Sequence, residues 1–305
     1  MRSLFLWMAR SDRLRRRLPQ LPGAKRAVRR FMPGETVEDA FAAADRLQGM
    51  GLMVLFTHLG EALTDLASAD AVAAHYHDVI ERARGRKRPV EISIKPTQLG
   101  MGIDDEACYR HTDELARHAE EAGTWFWLDM EGSELTEATI ALYERVRAGH
   151  AKVGIALQAY LKRTAHDIGR LLPLDPAIRL VKGAYDEPAA IAYRSKADVD
   201  GNFEALAVSL APAARDGKVR LALGTHDTEL IARITTIAEA VGATKANLEV
   251  HMLFGIRETE LVRLQREGYP CASLVAYGDA WYRWYMRRLA ERPANVVFAL
   301  RQFLP

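Results

Sequence analysis

The feature that most constrains the fold is an alternation of short apolar runs with amphipathic helical stretches. Eight such runs, most of them rich in Val, Ile or Leu, lie at residues 52–56, 90–94, 124–128, 152–157, 178–181, 219–223, 246–251 and 272–276. Helical spacing with capping residues marks the stretches between them, such as 70–86, 105–122, 134–148 and 227–241. Eight βα units in about 250 residues predict an α/β fold, a (β/α)8 TIM-like barrel. An open doubly wound sheet is the weaker alternative, because no Gly-x-Gly-x-x-Gly follows the first run.

The composition is that of an ordinary soluble protein. The chain has 305 residues, 49% of them hydrophobic, and a formal net charge of +2, which predicts no nucleic-acid partner. Cys108 and Cys271 lie far apart with no CxxC spacing, so neither a disulfide framework nor a zinc site follows from them. No apolar run approaches the roughly 20 residues that span a bilayer. The apolar residues 4–9 are too few for a signal-peptide core, and a cytoplasmic protein is expected.

The first residues differ from the rest and suggest a boundary. We expect residues 1–46 to form a basic N-terminal helical arm and residues 47–305 to form the barrel. Residues 1–30 hold ten Lys or Arg residues against one acid, Asp12, and residues 4–7 place Leu, Phe, Leu and Trp at the tip. Such an arm can lie on an anionic membrane surface, and the simpler alternative is a solvated arm packed on the body. Thr36 with Asp39 predicts the N-cap of a helix that runs to Met50.

Polar residues follow seven of the eight runs. In a barrel of this kind the chemistry lies at the C-terminal ends of the strands. Because buried charge is costly unless it is paired, packing alone does not explain so many polar groups at one rim. The residues at these positions include Glu61, Lys95, Asp129, Glu131, Gln158, Arg179, Lys182, Thr225, His226 and His251. The pattern therefore predicts a site at the barrel mouth.

The last run leads into a stretch, residues 277–293, that is rich in aromatic and basic residues. It predicts a helix that ends before Pro293. Arg287, Arg288 and Glu291 share one face of this helix, because they lie three and four residues apart. Two guanidiniums can hold a small carboxylate, and the Glu291 carboxylate can hold an ammonium. An amino-acid-sized zwitterion fits this face, although a surface helix with an ordinary ion pair is the alternative reading.

The chemistry of the rim is suited to a flavin or another phosphorylated cofactor. Phosphates need cations and backbone donors, and a flavin also needs an amide at its pyrimidine edge and a positive group near its redox-active ring. Gly183 permits close approach of the backbone, and the small Ala184 does not obstruct it. The rim supplies four potential cations and one primary amide: Lys95, Arg179, Lys182, His226 and Gln158.

Six short motifs resemble the proline dehydrogenase family in order and in register, from about residue 50 to the C-terminus. They are Lys-Pro-Thr-Gln-Leu-Gly at 95–100, Leu-Asp-Met-Glu at 128–131, Leu-Gln-Ala-Tyr-Leu at 157–161, Arg-Leu-Val-Lys-Gly-Ala-Tyr at 179–185, Gly-Thr-His at 224–226 and Arg-Arg-Leu-Ala-Glu-Arg-Pro at 287–293. The resemblance implies an FAD-dependent barrel that oxidises L-proline to Δ1-pyrroline-5-carboxylate by hydride transfer to the flavin. It also implies that the electrons pass to a quinone-type acceptor.

The resemblance implies roles for individual residues. Asp129 and Arg179 are the expected catalytic residues, with Arg179 close to flavin N5 and Gln158 at the pyrimidine edge. Glu61 is expected to pair with Arg287 as a gate. The expected substrate-binding residues are Glu61, Lys95, Tyr185, Leu253, Leu274, Arg287, Arg288 and Glu291. The expected cofactor contacts are Met130, Gln158, Arg179, Lys182, Gly183, Ala184, Thr225 and His226.

The sequence departs from the family pattern at the eighth run, where a tyrosine is usual and Leu274 stands. The substrate alternatives are therefore 4-hydroxyproline, another cyclic imino acid, or a carrier-bound prolyl group. Three other classes stay open at this stage. The first is a Schiff-base lyase that uses Lys95 or Lys182. The second is a metal-dependent hydrolase with the ligands Asp129, Glu131, His226 and His251. The third is an inactive barrel that serves as a partner protein.

Overall fold

The computed structural model describes residues 11, 13–14, 28–60 and 63–291, without the side chains of residues 283, 287, 290 and 291. The strands are β1 (Met53–His58), β2 (Val90–Ile94), β3 (Phe126–Leu128), β4 (Val153–Gln158), β5 (Ala177–Val181), β6 (Arg220–Gly224), β7 (Leu248–Leu253) and β8 (Cys271–Tyr277). The helices are α1 (Val37–Gly49), α2 (Leu66–Ala83), α3 (Asp105–Glu121), α4 (Thr136–Arg147), α5 (Thr164–Leu171), α6 (Lys196–Arg215), α7 (Thr228–Glu239), α8 (Glu258–Arg266) and α9 (Trp281–Glu291). Short 3-10 turns lie at Pro96–Leu99, Ser133–Leu135, Leu172–Leu174 and Lys245–Asn247.

The eight strands form a closed parallel barrel in chain order, and β8 pairs with β1. Each predicted apolar run overlaps one strand, and a helix follows each strand. The predicted (β/α)8 barrel is therefore confirmed. This topology brings the C-terminal ends of all eight strands to one mouth.

Apolar side chains cover both faces of the barrel wall. The outer layer lies between strands and helices and includes Phe56, Tyr76 and Phe203, all fully buried. The apolar side chains of the lumen include Trp127, Leu55 and three alanines, Ala177, Ala222 and Ala272. A Cβ atom added to Gly154 would lie 2.4 Å from the Trp127 ring, so the absence of a side chain on β4 makes room for the indole. Alternate residues of a strand share a face, so Gln158 shares the lumen face with Gly154.

A buried ionic cluster occupies the lumen near the N-terminal ends of the strands. Arg220 donates to Glu249 Oε1 at 2.7 Å and to Glu91 Oε1 at 2.8 Å. The indole of Trp127 donates to Glu91 at 2.6 Å, and His251 lies 3.0 Å from Glu249. The charges are paired, as burial requires.

The predicted N-cap of α1 is confirmed. The Thr36 hydroxyl accepts from the Asp39 N–H, and the Asp39 carboxylate accepts from the Thr36 N–H, which makes a capping box. Most of the predicted basic arm, together with Glu61, Pro293 and the rest of the C-terminus, lies outside the described residues. In the described ranges, no helix has the combination of length and hydropathy that crossing a bilayer requires.

Candidate active site at the barrel mouth

An ion pair inside the lumen joins the two residues expected to be catalytic. Arg179 on β5 pairs with Asp129, which directly follows β3. Arg179 Nη2 also donates to Ser93 Oγ at 2.8 Å, and Ser93 Oγ donates to Asp129 Oδ1 at 2.9 Å. Three strands therefore hold the guanidinium in one orientation.

Several buried polar atoms at the mouth lack hydrogen-bond partners among the described residues. They include Gln158 Oε1, an acceptor, and Arg179 Nη1, a donor. Gln158 is 3% exposed and Arg179 is 4% exposed, so bulk water does not satisfy them readily. A buried polar group without a partner typically costs about 1–3 kcal/mol. The pair indicates a ligand that brings both a donor and an acceptor to the mouth.

The end of β5 has a close-packed backbone. Gly183 has a φ of +111°, and a Cβ atom there would lie 2.2 Å from the Tyr160 ring. Only glycine fits this position without displacing the ring. Next to it, Lys182 Nζ lies 2.5 Å from Asp200 Oδ1 and 3.3 Å from Asp227 Oδ2. The Lys182 ammonium is thereby held at the rim, between α6 and the start of α7.

The β6 and β7 ends are joined through His226. The Leu253 N–H donates to His226 Nε2 at 3.0 Å, and Arg257 Nη1 donates to the His226 carbonyl oxygen at 3.0 Å. The Thr225 hydroxyl oxygen accepts from the Asp227 N–H at 3.2 Å. These bonds place the Thr225–His226 backbone beside Leu253.

Glu131 is a rim residue to which the family resemblance assigns no role. Its Oε1 atom accepts from the Thr97 hydroxyl at 2.8 Å and from the Thr97 N–H at 3.2 Å. Burial raises the pKa of the Glu131 carboxyl, while the Thr97 hydrogen bonds and the charge of Lys95 oppose that rise. Glu131 ties the turn after β2, which carries Lys95, to the loop after β3. Its position directly after the third apolar run was the signal available in the sequence.

A second residue without an assigned role, Glu187, closes the loop that carries Tyr185. Its carboxylate accepts from the Ser133 N–H at 2.8 Å and from the Ser133 hydroxyl at 2.5 Å. Leu161 and Ala192 form an isolated antiparallel bridge that fixes the same loop against the end of β4. Glu187 and Ser133 are 54 positions apart, and no sequence pattern linked them.

The eighth strand brings Leu274 into the lumen, in register with Leu253 on β7. Both side chains are half-buried. The predicted helix after β8 is present as α9, and Arg288 on it is half-buried with its guanidinium carbon 5.7 Å from the Trp284 ring centroid. Arg287 and Glu291 lie on α9, but their side chains are outside the described part of the chain, as is all of Glu61.

The structure thus brings together at the mouth most of the residues singled out from the sequence. Met130 differs in one respect, because its side chain packs in the outer core and only its backbone is free to face the mouth. The hydrolase alternative is not supported, since no group of three or more His, Cys, Asp or Glu side chains in the described ranges could hold a metal ion. The residues observed at the ends of strands or in the loops after them are Lys95, Asp129, Met130, Gln158, Lys182, Gly183, Ala184, Tyr185, Thr225, His226 and Leu253, with Arg179 inside β5 and Leu274 inside β8.

Comparison with known proteins identifies the family. A family model described as proline dehydrogenase matches residues 40–301. Proline dehydrogenase 1 of Bacillus subtilis strain 168 is 32% identical over 304 residues, which cover 100% of this chain and 99% of that protein. The proline dehydrogenase of Deinococcus radiodurans is 33% identical over 280 residues, covering 90% of this chain and 89% of that protein.

Solved structures agree on the fold. Proline utilization A from Bdellovibrio bacteriovorus superposes with a TM-score of 0.80 at 20% identity, covering 94% of this chain and 38% of that chain. At that sequence identity the structural similarity supports the fold alone. The family model and the full-length relatives decide the assignment: this chain belongs to the proline dehydrogenase family.

Proposed function

We propose that this protein oxidises L-proline to Δ1-pyrroline-5-carboxylate with FAD as the hydride acceptor, and that a quinone-type molecule reoxidises the flavin. The observation that carries the proposal is the buried pair of unsatisfied atoms at the mouth, Gln158 Oε1 and Arg179 Nη1. Family membership supports the substrate class.

The donors and acceptors at the mouth fit a flavin. The pyrimidine edge of a flavin carries an imide N–H, which the Gln158 carbonyl oxygen can accept, and the ring system offers acceptors for a guanidinium N–H. Gly183 presents backbone with no side chain in the way, and Ala184 follows it. The remaining contacts to the cofactor are proposed for Met130, Lys182, Thr225 and His226.

When bound, the flavin supplies the redox step by accepting a hydride from the carbon next to the substrate nitrogen. The protein's part is to orient the substrate and to set the electrostatics. Arg179 places a fixed positive charge where negative charge develops, and its bonds to Asp129 and Ser93 keep it from reorganising. Asp129 in turn keeps a compensating negative charge within the lumen.

The substrate is proposed to lie between the mouth and α9. Arg287 and Arg288 bind its carboxylate, and Glu291 holds its nitrogen end. The substrate ammonium releases one proton to solvent before the carbon next to it gives up the hydride. Glu61 is proposed to close the site by pairing with Arg287. Lys95, Tyr185, Leu253 and Leu274 are proposed to line the pocket.

Leu253 and Leu274 favour proline over its 4-hydroxylated form. A ring hydroxyl facing these two side chains would lose its hydrogen bonds to water without a replacement. The comparison of kcat/KM for proline and 4-hydroxyproline tests this preference. A higher kcat/KM for 4-hydroxyproline would identify that compound as the preferred substrate of the same reaction.

The colour of the purified protein tests the proposal most directly. We expect a flavin absorption spectrum that proline bleaches under anaerobic conditions and that a quinone restores. A colourless protein that cannot be reconstituted with FAD would refute the flavin assignment. Trapping by borohydride with a carbonyl substrate would instead favour the Schiff-base lyase that uses Lys95 or Lys182.

We propose that the protein is cytoplasmic and that residues 1–30 make peripheral contact with the inner membrane. Their positive charge is suited to an anionic surface. Co-sedimentation with vesicles of anionic and neutral lipids tests it. Equal binding by the full chain and by a chain that lacks residues 1–30 would refute the membrane role of the arm.

A further inference from the structure

The helix that carries Arg288 packs against a segment from the opposite end of the chain. We call residues 28–35 the N-terminal brace. Val28, Phe31 and Met32 of the brace are buried in one apolar cluster with residues of α9, and the Phe31 and Tyr285 rings lie 5.8 Å apart between centroids. The α9 members of that cluster are Trp281, Tyr282, Trp284, Tyr285, Met286 and Leu289.

The barrel itself contributes little to this cluster. Among the described residues, its buried members from the strands or the residues that directly follow them are Leu59, after β1, and Ala276, on β8. The other buried members belong to α9 and the brace, and the partly buried Leu14 and Ile256 pack against them. The position of α9 therefore depends on where the brace lies.

One polar contact fixes the start of α9 to the brace. The indole Nε1–H of Trp281 donates to Glu35 Oε1 at 3.0 Å. Trp281 is the first residue of α9 and is 3% exposed. The bond is partly buried, and a bond to a charged acceptor is stronger than one between neutral groups. It holds the first turn of α9 against Glu35 of the brace.

The brace also rests on the loop that follows β7. A Cβ atom added to Gly255 would lie 1.6 Å from the Arg30 carbonyl oxygen, so the two backbones are in direct contact. Gly255 has a φ of +71°, which favours glycine as well. Gly255 lies two residues after Leu253, which is proposed to line the substrate pocket. The brace therefore contacts two of the elements that surround the substrate.

We propose that the N-terminal brace, through Glu35 and Gly255, is a positioning element that sets the distance of Arg288 from the substrate carboxylate. The proposal rests on the proposed function, because it assumes that Arg288 binds that carboxylate. Glu35 and Trp281 act through α9 and are not themselves in contact with substrate. Loss of the Glu35 bond is expected to weaken carboxylate binding while leaving the flavin site intact.

The test uses the full-length flavin-loaded protein and three variants. Glu35→Ala removes the acceptor, Glu35→Gln keeps an acceptor oxygen, and Gly255→Ala displaces the brace without changing any residue of α9. The readouts are KM and kcat for proline per bound flavin, the inhibition constant of cyclopentanecarboxylate, which has the carboxylate without the amine, and the melting temperature. Glu106→Ala is the matched control, since it removes a carboxylate that pairs with Arg145 between α3 and α4.

We expect Glu35→Ala and Gly255→Ala to raise both KM and the inhibition constant about tenfold, with kcat and flavin content little changed. Glu35→Gln should recover most of the wild-type KM, and Glu106→Ala should not differ from wild type. The double variant Trp281→Phe/Glu35→Ala should raise KM little beyond either single variant, because both substitutions remove the same hydrogen bond. If Gly255→Ala does not fold, the comparison of Glu35→Ala with Glu35→Gln still tests the positioning role of the brace.

Wild-type KM and inhibition constants in Glu35→Ala, with only a lower melting temperature, would overturn the proposal and leave the brace a purely stabilising element. A parallel loss of kcat and flavin would also overturn it. A wild-type protein that binds no flavin or does not oxidise proline would refute the proposed function instead, so the two failures are distinct.

Discussion

Arg179 donates to the hydroxyl oxygen of Ser93 across 2.8 Å, from one wall of the barrel lumen to another. The same guanidinium pairs with Asp129, and its second terminal nitrogen has no partner in the described part of the chain. A rigidly held cation with one donor left over is suited to stabilising charge that develops in a bound ligand.

The first prediction concerns this cation. Arg179→Met should lower kcat by about 10²–10³-fold, the typical effect of removing one preorganised donor. It should also lower the midpoint potential of the flavin, because the negative charge of the reduced form loses its partner. Spectroelectrochemistry and single-turnover reduction by proline measure both. Arg179→Lys, which keeps the charge, is the control, and an unchanged potential in Arg179→Met would contradict the assigned role.

The second prediction concerns Arg288. Arg288→Met should raise KM for proline about 100-fold, because a charge-assisted bond to the carboxylate is lost. The flavin should remain bound, since the proposed cofactor contacts lie on the strand ends. Steady-state kinetics and the visible spectrum of the same preparation give the answer. An unchanged KM would remove Arg288 from the substrate site.

The third prediction concerns stability. Arg220 neutralises Glu91 and Glu249 inside the lumen, so Arg220→Met leaves two buried carboxylates without their cation. Breaking such a cluster from one side costs about 3–5 kcal/mol of unfolding free energy. Urea titration measures it. Arg145→Met is the matched control, because its exposed pair with Glu106 is expected to contribute less than about 1 kcal/mol.

The fourth prediction concerns pH. Burial alone would raise the pKa of Glu249, but hydrogen bonds from His251 and Arg220 outweigh it and lower the pKa to about 2. The folded-state pKa is thus below the unfolded value of about 4.3. A depressed carboxyl pKa stabilises the fold above the unfolded pKa, and this contribution is lost as the pH falls through the folded pKa.

The Glu249 contribution is about 3 kcal/mol at neutral pH and should fade between about pH 5 and pH 2. The difference in unfolding free energy between wild type and Glu249→Gln should therefore shrink as the pH falls through this window. Denaturant titrations at several pH values measure it. A difference that stays constant down to pH 2 would show that Glu249 is not the titrating group.

The fifth prediction concerns Gly183. Gly183→Ala adds both left-handed backbone strain and a collision with the Tyr160 ring, so the end of β5 must shift. Gly217→Ala is the control, because it has a φ of +71° with open space around its Cβ position. Both should lose about 1–2 kcal/mol from strain. Only Gly183→Ala should weaken FAD binding, which fluorescence titration of the deflavinated protein measures. Equal FAD affinity in the two variants would argue against a cofactor contact at this position.

The barrel was accessible from sequence because its signal is local and repeated. A buried parallel strand needs a short apolar run, and each run here is followed by a helix whose apolar spacing is visible over a few turns. The strand boundaries still moved by one or two residues. The third run, for example, was expected from Thr124 and the strand begins at Phe126. Pairing with neighbouring strands decides such ends, and that information is not in the local pattern.

The sequence predicts the mouth in outline, because polar residues such as Lys95, Asp129 and Gln158 stand out against the apolar runs that they follow. The sequence does not predict the partner that each of these residues contacts. Glu187 reaches Ser133 over 54 positions, and Arg220 joins Glu91 over 129. A carboxylate on its own indicates neither its partner nor its exposure.

By itself the sequence determined the number and order of the strands, the cap at Thr36 and the polar rim, since each depends on residues near one another in the chain. The tertiary structure alone decided that Asp129 meets Arg179 and that residues 28–35 support the helix bearing Arg288. Those contacts exist because barrel closure brings distant segments within a few ångströms, and only the folded chain specifies that distance.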